Sequence, residues 1–184
     1  MILKRNEKEG NMQLIKVKII DGSKKILEFF DDDKKIFETE AFLGRNGVTI
    51  NKKEGDLKTP IGTFNLGIVF GMHDIQKELK IPYIQINKDL YWVDDVNSRY
   101  YNQLVDIQKI SKDWKSAEHL SDYPRQYEYA MEIKTNPENI PGNGSAIFLH
   151  CSVQKPTAGC VAIEKEKMLE ILKNIKENAL ISIE

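Results

Sequence analysis

Cysteine is scarce in this sequence, with two residues in 184, Cys151 and Cys160. A small disulfide scaffold usually carries four or more cysteines, so a disulfide framework is excluded as the basis of the fold. Charge of one sign is also lacking, because 27 basic residues stand against 28 acidic ones. A nearly neutral chain gives no electrostatic reason to expect a nucleic-acid partner.

Long apolar runs are missing as well. No stretch of about 18 apolar residues occurs, which excludes a transmembrane helix. The N-terminal residues carry charge but no apolar core of a signal peptide, so this segment predicts no export signal. No Gly-Lys-Ser/Thr run follows the glycine-containing loops, which argues against a phosphate-binding loop.

Short apolar runs separated by turns dominate the sequence and predict a mainly β fold. Residues 13–20 and 26–30 form a predicted hairpin, and a turn at 31–33 leads into a strand over 36–43. We expect 83–86 to pair with 90–93, and 103–126 to form an irregular lid. Further strands are predicted over 63–69, 127–133, 147–149, 161–163 and 179–183.

One amphipathic helix is predicted near the C-terminus. Met168, Ile171, Leu172 and Ile175 recur at helical spacing after the charged run 164–167. This apolar stripe predicts a helix packed on the sheet. We therefore expect an α+β fold in one domain over 1–184, with a polar, flexible segment at 1–11.

The stretch over 145–163 holds both cysteines and one of the three histidines. A thiol with an ordinary pKa near 8.5 is only about 3% ionised at pH 7, so a nucleophilic cysteine needs a neighbouring base. His150 and Cys160 are ten residues apart, which prevents contact along one helix or one straight strand. A hairpin-like return between 147–149 and 161–163 would bring the imidazole to the thiol.

Two further features constrain the chemistry. No histidine follows either cysteine, so the papain-like order, with cysteine first, is excluded. Gly159 stands directly before Cys160, where it leaves room for a substrate and lets backbone N–H groups face a developing oxyanion. His119 is a second candidate base, although nothing in the sequence fixes its distance from Cys160.

The segment from His150 to Cys160 resembles the active-site segment of the L,D-transpeptidase catalytic domain, also called the YkuD type. That family has a histidine at a strand end, a loop and a Ser/Thr-x-Gly-Cys box, here Thr157-Ala158-Gly159-Cys160. A Lys-Thr-Pro-x-Gly-x-Phe run at 58–64 also resembles the family. The commonest box has a histidine before its glycine and a polar residue two positions after its cysteine. Both are absent here, so the chain resembles a divergent branch.

The resemblance implies an L,D-transpeptidase-like β-sandwich of mixed sheets and a cysteine acyltransferase that cross-links peptidoglycan stem peptides. By the resemblance, Cys160 is the nucleophile, which forms a thioester, and His150 is its base. The backbone carbonyl of Cys151 then orients the imidazole, and the N–H groups of Gly159 and Cys160 stabilise the oxyanion. Substrate contacts are assigned to Thr157, Ala158, Arg45 and Tyr127.

Several alternatives stay open. Water in place of the acceptor amine would make the protein an L,D-carboxypeptidase, and loss of the chemistry would leave a silent peptidoglycan-binding module. A core role for both thiols and the histidine is the simplest alternative, since free cysteine is often buried. Zinc held by His150, Cys151 and Cys160 is disfavoured, because adjacent side chains on a strand point to opposite faces.

The resemblance also implies a location in the cell envelope, with peptidoglycan stem peptides as donor and acceptor. We expect a monomer without a cofactor, a metal or a nucleic-acid partner. Both thiols are expected to be free, because a bridge between Cys151 and Cys160 would block the nucleophile.

Overall fold

The computed structural model describes residues 12–21 and 24–184. The regular secondary structure of the described residues is mainly β-strand, with one α-helix near the C-terminus, as predicted. The predicted flexibility of 1–11 lies outside the described residues. The elements are β1 Gln13–Ile19, β2 Lys25–Asp31, β3 Lys34–Phe42, β4 Val48–Thr49, β5 Thr59–Pro60, β6 Gly62–Gly71, β7 Tyr83–Gln85, β8 Leu90–Val93, β9 Leu104–Asp106, β10 Ala117–His119, β11 Tyr129–Ile133, β12 Phe148–Cys151, β13 Val161–Ile163, α1 Lys165–Asn174 and β14 Leu180–Ile183.

The main strands form two mixed sheets that share their two longest strands. The first half of β6 pairs with β14, and its second half pairs with β11 and β7. In the same way, β3 pairs with β2 over most of its length and with β13 at its end. Strands that pass from one sheet to the other form the corners of a sandwich. The pairs β1–β14, β6–β7 and β12–β13 are parallel, and the others in these sheets are antiparallel.

The main core lies between the sheets and is closed by α1. Alternation along β1 buries Ile15 and Val17, which makes the predicted hairpin with β2 part of this core. The helix buries Met168, Ile171 and Leu172, and Ile175, directly after its end, is buried in the same core, so all four predicted positions face the core. Each burial contributes roughly 2 kcal/mol. No helix of the described ranges is long and apolar enough to span a membrane.

A separate three-stranded sheet, in the order β10-β8-β9, covers the outer face of β12. The predicted pairing of 83–86 with 90–93 is wrong, because β7 extends the main sheet beside β6 while β8 pairs with β9 and β10. On β8, Trp92 packs edge-on against Phe148 of β12, with ring centroids 4.9 Å apart. This apolar contact draws β8 away from β7. The predicted lid over 103–126 is therefore partly regular, and we call β8, β9 and β10 the lid sheet.

Candidate active site around Cys160 and His150

Strands β12 and β13 bring the two ends of the predicted active-site segment together. They pair in parallel, with His150 opposite Ala162. The predicted hairpin-like return is wrong in direction, because parallel neighbours need a connection that travels back along the strand. Residues 152–160 supply this connection. It places Cys160 directly before β13, at the level of the start of β12.

His150 and Cys160 lie on the same face of the sheet. Cys160 precedes Ala162, the partner of His150, by two residues, so thiol and imidazole are diagonal neighbours. The sulfur accepts the backbone N–H of Phe148 at 3.3 Å, and the thiol donates to the carbonyl oxygen of Ala146 at 3.3 Å. Among the described residues, no hydrogen bond joins the sulfur to the imidazole. The resting site therefore holds the two groups as neighbours without linking them.

The imidazole of His150 is oriented by the next residue in the chain. Its Nδ1 lies 2.9 Å from the carbonyl oxygen of Cys151, and a carbonyl only accepts, so Nδ1 carries a proton. Nε2 is left as the nitrogen that can accept a proton. The ring of Tyr127 meets the imidazole edge-on, with centroids 5.6 Å apart. Burial lowers the pKa of His150 to about 4, so the ring is neutral at pH 7.

The thiol of Cys160 is un-ionised in this state. Only 8% of the residue is exposed, and burial raises the pKa of the thiol to about 12. The carboxylate of Glu118 also raises this pKa, whereas the N–H of Phe148 and the ammonium of Lys52 lower it. A thiol with a pKa near 12 beside an imidazole with a pKa near 4 keeps its proton. The resting pair is thiol and imidazole, not thiolate and imidazolium.

The turn before Cys160 is held by the side chain of Thr157. Its hydroxyl accepts the Gly159 N–H at 3.1 Å and donates to the carbonyl oxygen of Cys160 at 2.7 Å. The Thr59 hydroxyl donates to the same carbonyl at 3.3 Å. Thr157, predicted to contact substrate, thus has its hydroxyl occupied within the protein. The Gly159 N–H, predicted as an oxyanion donor, is occupied as well.

Gly159 is required by the backbone at this point. Its φ is +146°, a conformation that other residues rarely adopt. A Cβ atom there would lie 3.0 Å from the carbonyl oxygen of Lys58 and 3.1 Å from Cδ1 of Ile147. Both the backbone conformation and the lack of space therefore select glycine next to Cys160.

Tyr127 and Glu118 close the site from the side of the lid sheet. Tyr127 is buried, and its hydroxyl donates a hydrogen bond to the carboxylate of Glu118. Its ring packs edge-on against Phe148 as well as His150. Burial raises the pKa of Glu118 to about 7, although the Tyr127 hydrogen bond opposes the rise. Tyr127, predicted to bind substrate, lies beside the imidazole with its hydroxyl already bonded.

His119 was predicted as a second candidate base for Cys160, but its neighbour Glu118 is the residue that acts on the thiol. These two residues are adjacent on β10, so their side chains point to opposite faces of the lid sheet. His119 stacks on Tyr91 with ring centroids 4.3 Å apart and pairs with Asp122 at 3.0 Å. Its ring is thus engaged on the other face. The alternation of β10 is the signal that would have separated the two residues, had this short strand been recognised.

A model of the YkuD family, described as the L,D-transpeptidase catalytic domain, matches residues 16–183. The chain belongs to this family. A comparison with curated protein sequences gives no match.

Solved L,D-transpeptidase structures resemble this L,D-transpeptidase domain at low identity. A mutant of the Enterococcus faecium enzyme is 12% identical, with a TM-score of 0.44, covering 96% of this chain and 50% of that one. The Mycobacterium smegmatis enzyme is 11% identical, with a TM-score of 0.41, covering 95% and 58%. L,D-transpeptidase 1 from Mycobacterium tuberculosis is 13% identical, with a TM-score of 0.38, covering 94% and 60%. The domain spans between 50% and 60% of these chains.

Two predicted substrate contacts of the L,D-transpeptidase domain lie on its surface. Arg45 and Ala158 are both exposed. The backbone N–H of Arg45 donates to the carbonyl oxygen of Thr157 at 2.9 Å, which ties its loop to the loop of the cysteine box. The Arg45 side chain lines a pocket of about 330 Å³ together with Pro156. Arg45 therefore lies beside the cysteine loop, and Ala158 is an exposed residue of that loop.

Cys151 points away from the site. Its thiol donates to the carbonyl oxygen of Tyr129 at 3.5 Å and packs in the main core with Leu149 and Ile163. His150, Cys151 and Cys160 therefore do not converge on one point, as a zinc site would require. In the described part of the chain, no group of three or more His, Cys, Asp or Glu side chains is placed to hold a metal ion. Both thiols are free.

Sequence reasoning missed a group of charged residues in the loop before β5. Lys52 pairs with Asp56 in this loop. Glu54 accepts hydrogen bonds from the hydroxyls of Tyr101 and Ser145, the latter at 2.7 Å. These bonds join the loop to the connection between β8 and β9, where Tyr101 lies, and to Ser145 at the start of the segment 145–163. The only available signal was the density of charge directly before the Lys-Thr-Pro run at 58–60.

Proposed function

We propose that this protein is a cysteine acyltransferase of the L,D-transpeptidase type that acts on peptidoglycan stem peptides through a thioester at Cys160. The observation that carries the proposal is the shared sheet face of Cys160 and His150, with the imidazole oriented by the Cys151 carbonyl. A core histidine needs no free Nε2 beside a thiol, whereas a base does. Because its substrate is cell-wall peptide, we also propose a location in the cell envelope.

The first half-reaction would transfer the donor to the sulfur. The thiol proton passes from Cys160 to Nε2 of His150, and the sulfur attacks the carbonyl that follows the L-centre of the diamino acid. The carbonyl electrons move onto oxygen, and the N–H of Cys160 stabilises this oxyanion, because the Gly159 N–H already donates to Thr157. The bond to D-alanine then breaks, and its amine takes the proton from His150.

The second half-reaction would transfer the acyl group to an amine. His150, neutral again, accepts a proton from the acceptor amine as the amine attacks the thioester, and this proton returns to the sulfur as it leaves. A buried sulfur favours an amine over water, since exclusion of water protects a reactive intermediate from hydrolysis. The burial of Cys160 therefore supports transfer over hydrolysis.

One observation favours a second candidate, a silent peptidoglycan-binding module. The thiol donates to Ala146 and not to His150, so the resting pair is not connected for proton transfer. In the catalytic proposal, substrate binding displaces the thiol from Ala146 and brings the sulfur to Nε2. Catalytic hydrogen bonds often form only in the substrate complex, which reconciles this geometry with activity.

Intact-mass spectrometry after incubation with a tetrapeptide donor tests the proposal. We expect an acyl adduct on the wild-type protein and on Cys151→Ala, but none on Cys160→Ala. Turnover of Cys160→Ala should be lower by at least about 1000-fold. Adding an acceptor amine should convert the adduct into a cross-linked peptide. An adduct on Cys160→Ala would remove this thiol from the mechanism, and no adduct on the folded wild type would favour the silent module.

A further inference from the structure

The side chain of Lys52 is largely covered, although lysine is among the residue types that are least often buried. Its side chain is 9% exposed. The ammonium pairs with Asp56, whose carboxylate also accepts the backbone N–H groups of Lys53 and Lys58 at 2.9 Å each. A desolvated cation is costly unless it interacts with negative charge. Asp56 supplies this negative charge and holds the ammonium in its largely buried position.

The side chain of Lys52 passes beside Gly144 and ends next to Gly159. A Cβ atom on Gly144 would lie 2.7 Å from its Cγ and 3.0 Å from its Cε. A Cβ atom on Gly159 would lie 3.3 Å from its Nζ. Both glycines have positive φ, +92° and +146°. Because neither glycine has a side chain, the side chain of Lys52 can pass close to both. Its ammonium then lies next to Gly159, the residue directly before Cys160.

One ammonium and one carboxylate act on Cys160, and they come from different parts of the fold. Lys52 comes from the loop before β5, and Glu118 comes from the lid sheet, where Tyr127 bonds its carboxylate. The neutral imidazole of His150 lies on the same sheet face. Asp94 and Glu54 lie near enough to Glu118 to raise its pKa. Val161 and Ala162, directly after the cysteine, carry no charge, whereas the ammonium of Lys52 lowers the pKa of Cys160.

We propose that Lys52 is the cationic group that stabilises negative charge at Cys160, first on the sulfur and then on the oxygen of the tetrahedral intermediate. The role on oxygen rests on the proposed acyl transfer, whereas the role on sulfur does not. Lys52 gives up no proton in either step, since the thiol proton goes to His150. The gain is electrostatic, because a charge in a water-excluded site acts far more strongly than in water.

Alkylation of Cys160 tests the role on sulfur without any stem peptide. Iodoacetamide reacts with the thiolate, so its rate at a fixed pH below the thiol pKa follows the ionised fraction. The rate is measured by peptide mapping between pH 7 and 10 in a Cys151→Ala background. We expect Lys52→Met to react about 10-fold more slowly than its parent, which corresponds to a rise of roughly one unit in thiol pKa. Lys53→Met, a change of the exposed neighbour, should leave the rate unchanged.

A variant with the opposite expected effect separates charge from structure. Asp56→Asn keeps one of the two oxygens that accept the N–H groups of Lys53 and Lys58, so it loses one of these two hydrogen bonds, and it removes the counter-ion of Lys52. The ammonium is then less neutralised, and the rate at Cys160 should increase several-fold. Damage to the loop would move both variants in the same direction. If Lys52→Met does not fold, Asp56→Asn still decides the question.

Two results would overturn the proposal: an unchanged rate in folded Lys52→Met, or an unchanged or lower rate in Asp56→Asn. Failure of the proposed acyl transfer gives a different pattern. In that case the alkylation rates change as described, but the wild-type protein forms no adduct with the tetrapeptide donor.

Discussion

The two cysteines lie on opposite faces of the sheet and show that burial alone does not distinguish a proposed nucleophile from a core thiol. Cys151 and Cys160 are 1% and 8% exposed, and burial raises both thiol pKa values to about 12. What differs is the surroundings. Cys151 lies among aliphatic side chains of the main core, whereas Cys160 has an imidazole, an ammonium and a carboxylate around it.

The two cysteines contribute to the candidate site in different ways. Cys151 contributes through its backbone, because its carbonyl oxygen orients His150 while its side chain lies in the core. Cys160 contributes through its side chain, and its backbone carbonyl is used to hold the turn. Variants that change the surroundings of one cysteine should therefore leave the other unaffected.

Among variants that keep both thiols, the largest effect is expected from Gly159→Ala. The substitution forces a side chain into a backbone with φ of +146° and against the carbonyl oxygen of Lys58, 3.0 Å away. We expect the free energy of unfolding to fall by about 2 to 3 kcal/mol, measured by urea denaturation. Acylation of Cys160 by the donor peptide should fall at least about 100-fold, since the turn carries the proposed nucleophile.

Gly142→Ala is the matched control for this change. Gly142 also has positive φ, +88°, but a Cβ atom there would meet nothing within 4 Å. Only the backbone cost remains, about 1 kcal/mol, and acylation of Cys160 should be unaffected. Equal losses of activity in the two variants would show that strain, and not the position beside Cys160, determines the effect.

A smaller effect of known sign is expected from Glu118→Gln. The Glu118 carboxylate raises the pKa of Cys160, so its neutral replacement should increase alkylation of Cys160 about 3-fold to 10-fold at pH 9. The pKa of Glu118 is itself raised to about 7, so the wild-type carboxyl is largely protonated below that pH. The difference between variant and wild type should therefore diminish as the pH falls below 7.

A control variant and the second thiol, Cys151, test whether the effect of Glu118→Gln is specific to Cys160. Glu138→Gln changes an exposed carboxylate and should leave both alkylation rates as they are. Alkylation of Cys151 should also be the same in Glu118→Gln, because this carboxylate acts on the Cys160 side of the sheet. A slower reaction of Cys160 in Glu118→Gln would contradict the electrostatic account of the site.

Much of the fold could be predicted because it depends on local pattern. The hairpin of β1 and β2 and the stripe of Met168, Ile171 and Leu172 are visible in short windows of sequence, and the structure confirms both. The parallel pairing of β12 with β13 was not visible, because apolar alternation shows that a strand forms but not its partner or direction. The pairing of β7 was mispredicted for the same reason.

The residues of the candidate site also differ in whether a local sequence pattern can indicate them. His150, Gly159 and Cys160 stand within one segment, where their spacing could be interpreted. Lys52, in the loop before β5, and Glu118, on strand β10, both act on the pKa of Cys160 from far away along the chain, and nothing in their local sequence indicates this. Long-range convergence of charge is the part of such a site that only the tertiary structure shows.

The smallest effect is expected from Cys151→Ala, and it tests the comparison most directly. The change removes one buried sulfur and a weak hydrogen bond to Tyr129, which should lower the free energy of unfolding by about 1 kcal/mol and the melting temperature by roughly 2 to 4 °C. The carbonyl at position 151 remains, so His150 keeps its orientation and acylation of Cys160 should stay within about 2-fold of wild type. Loss of acylation in a folded Cys151→Ala protein would mean that the core-facing thiol takes part in the chemistry, and the division of roles between the two faces would be wrong.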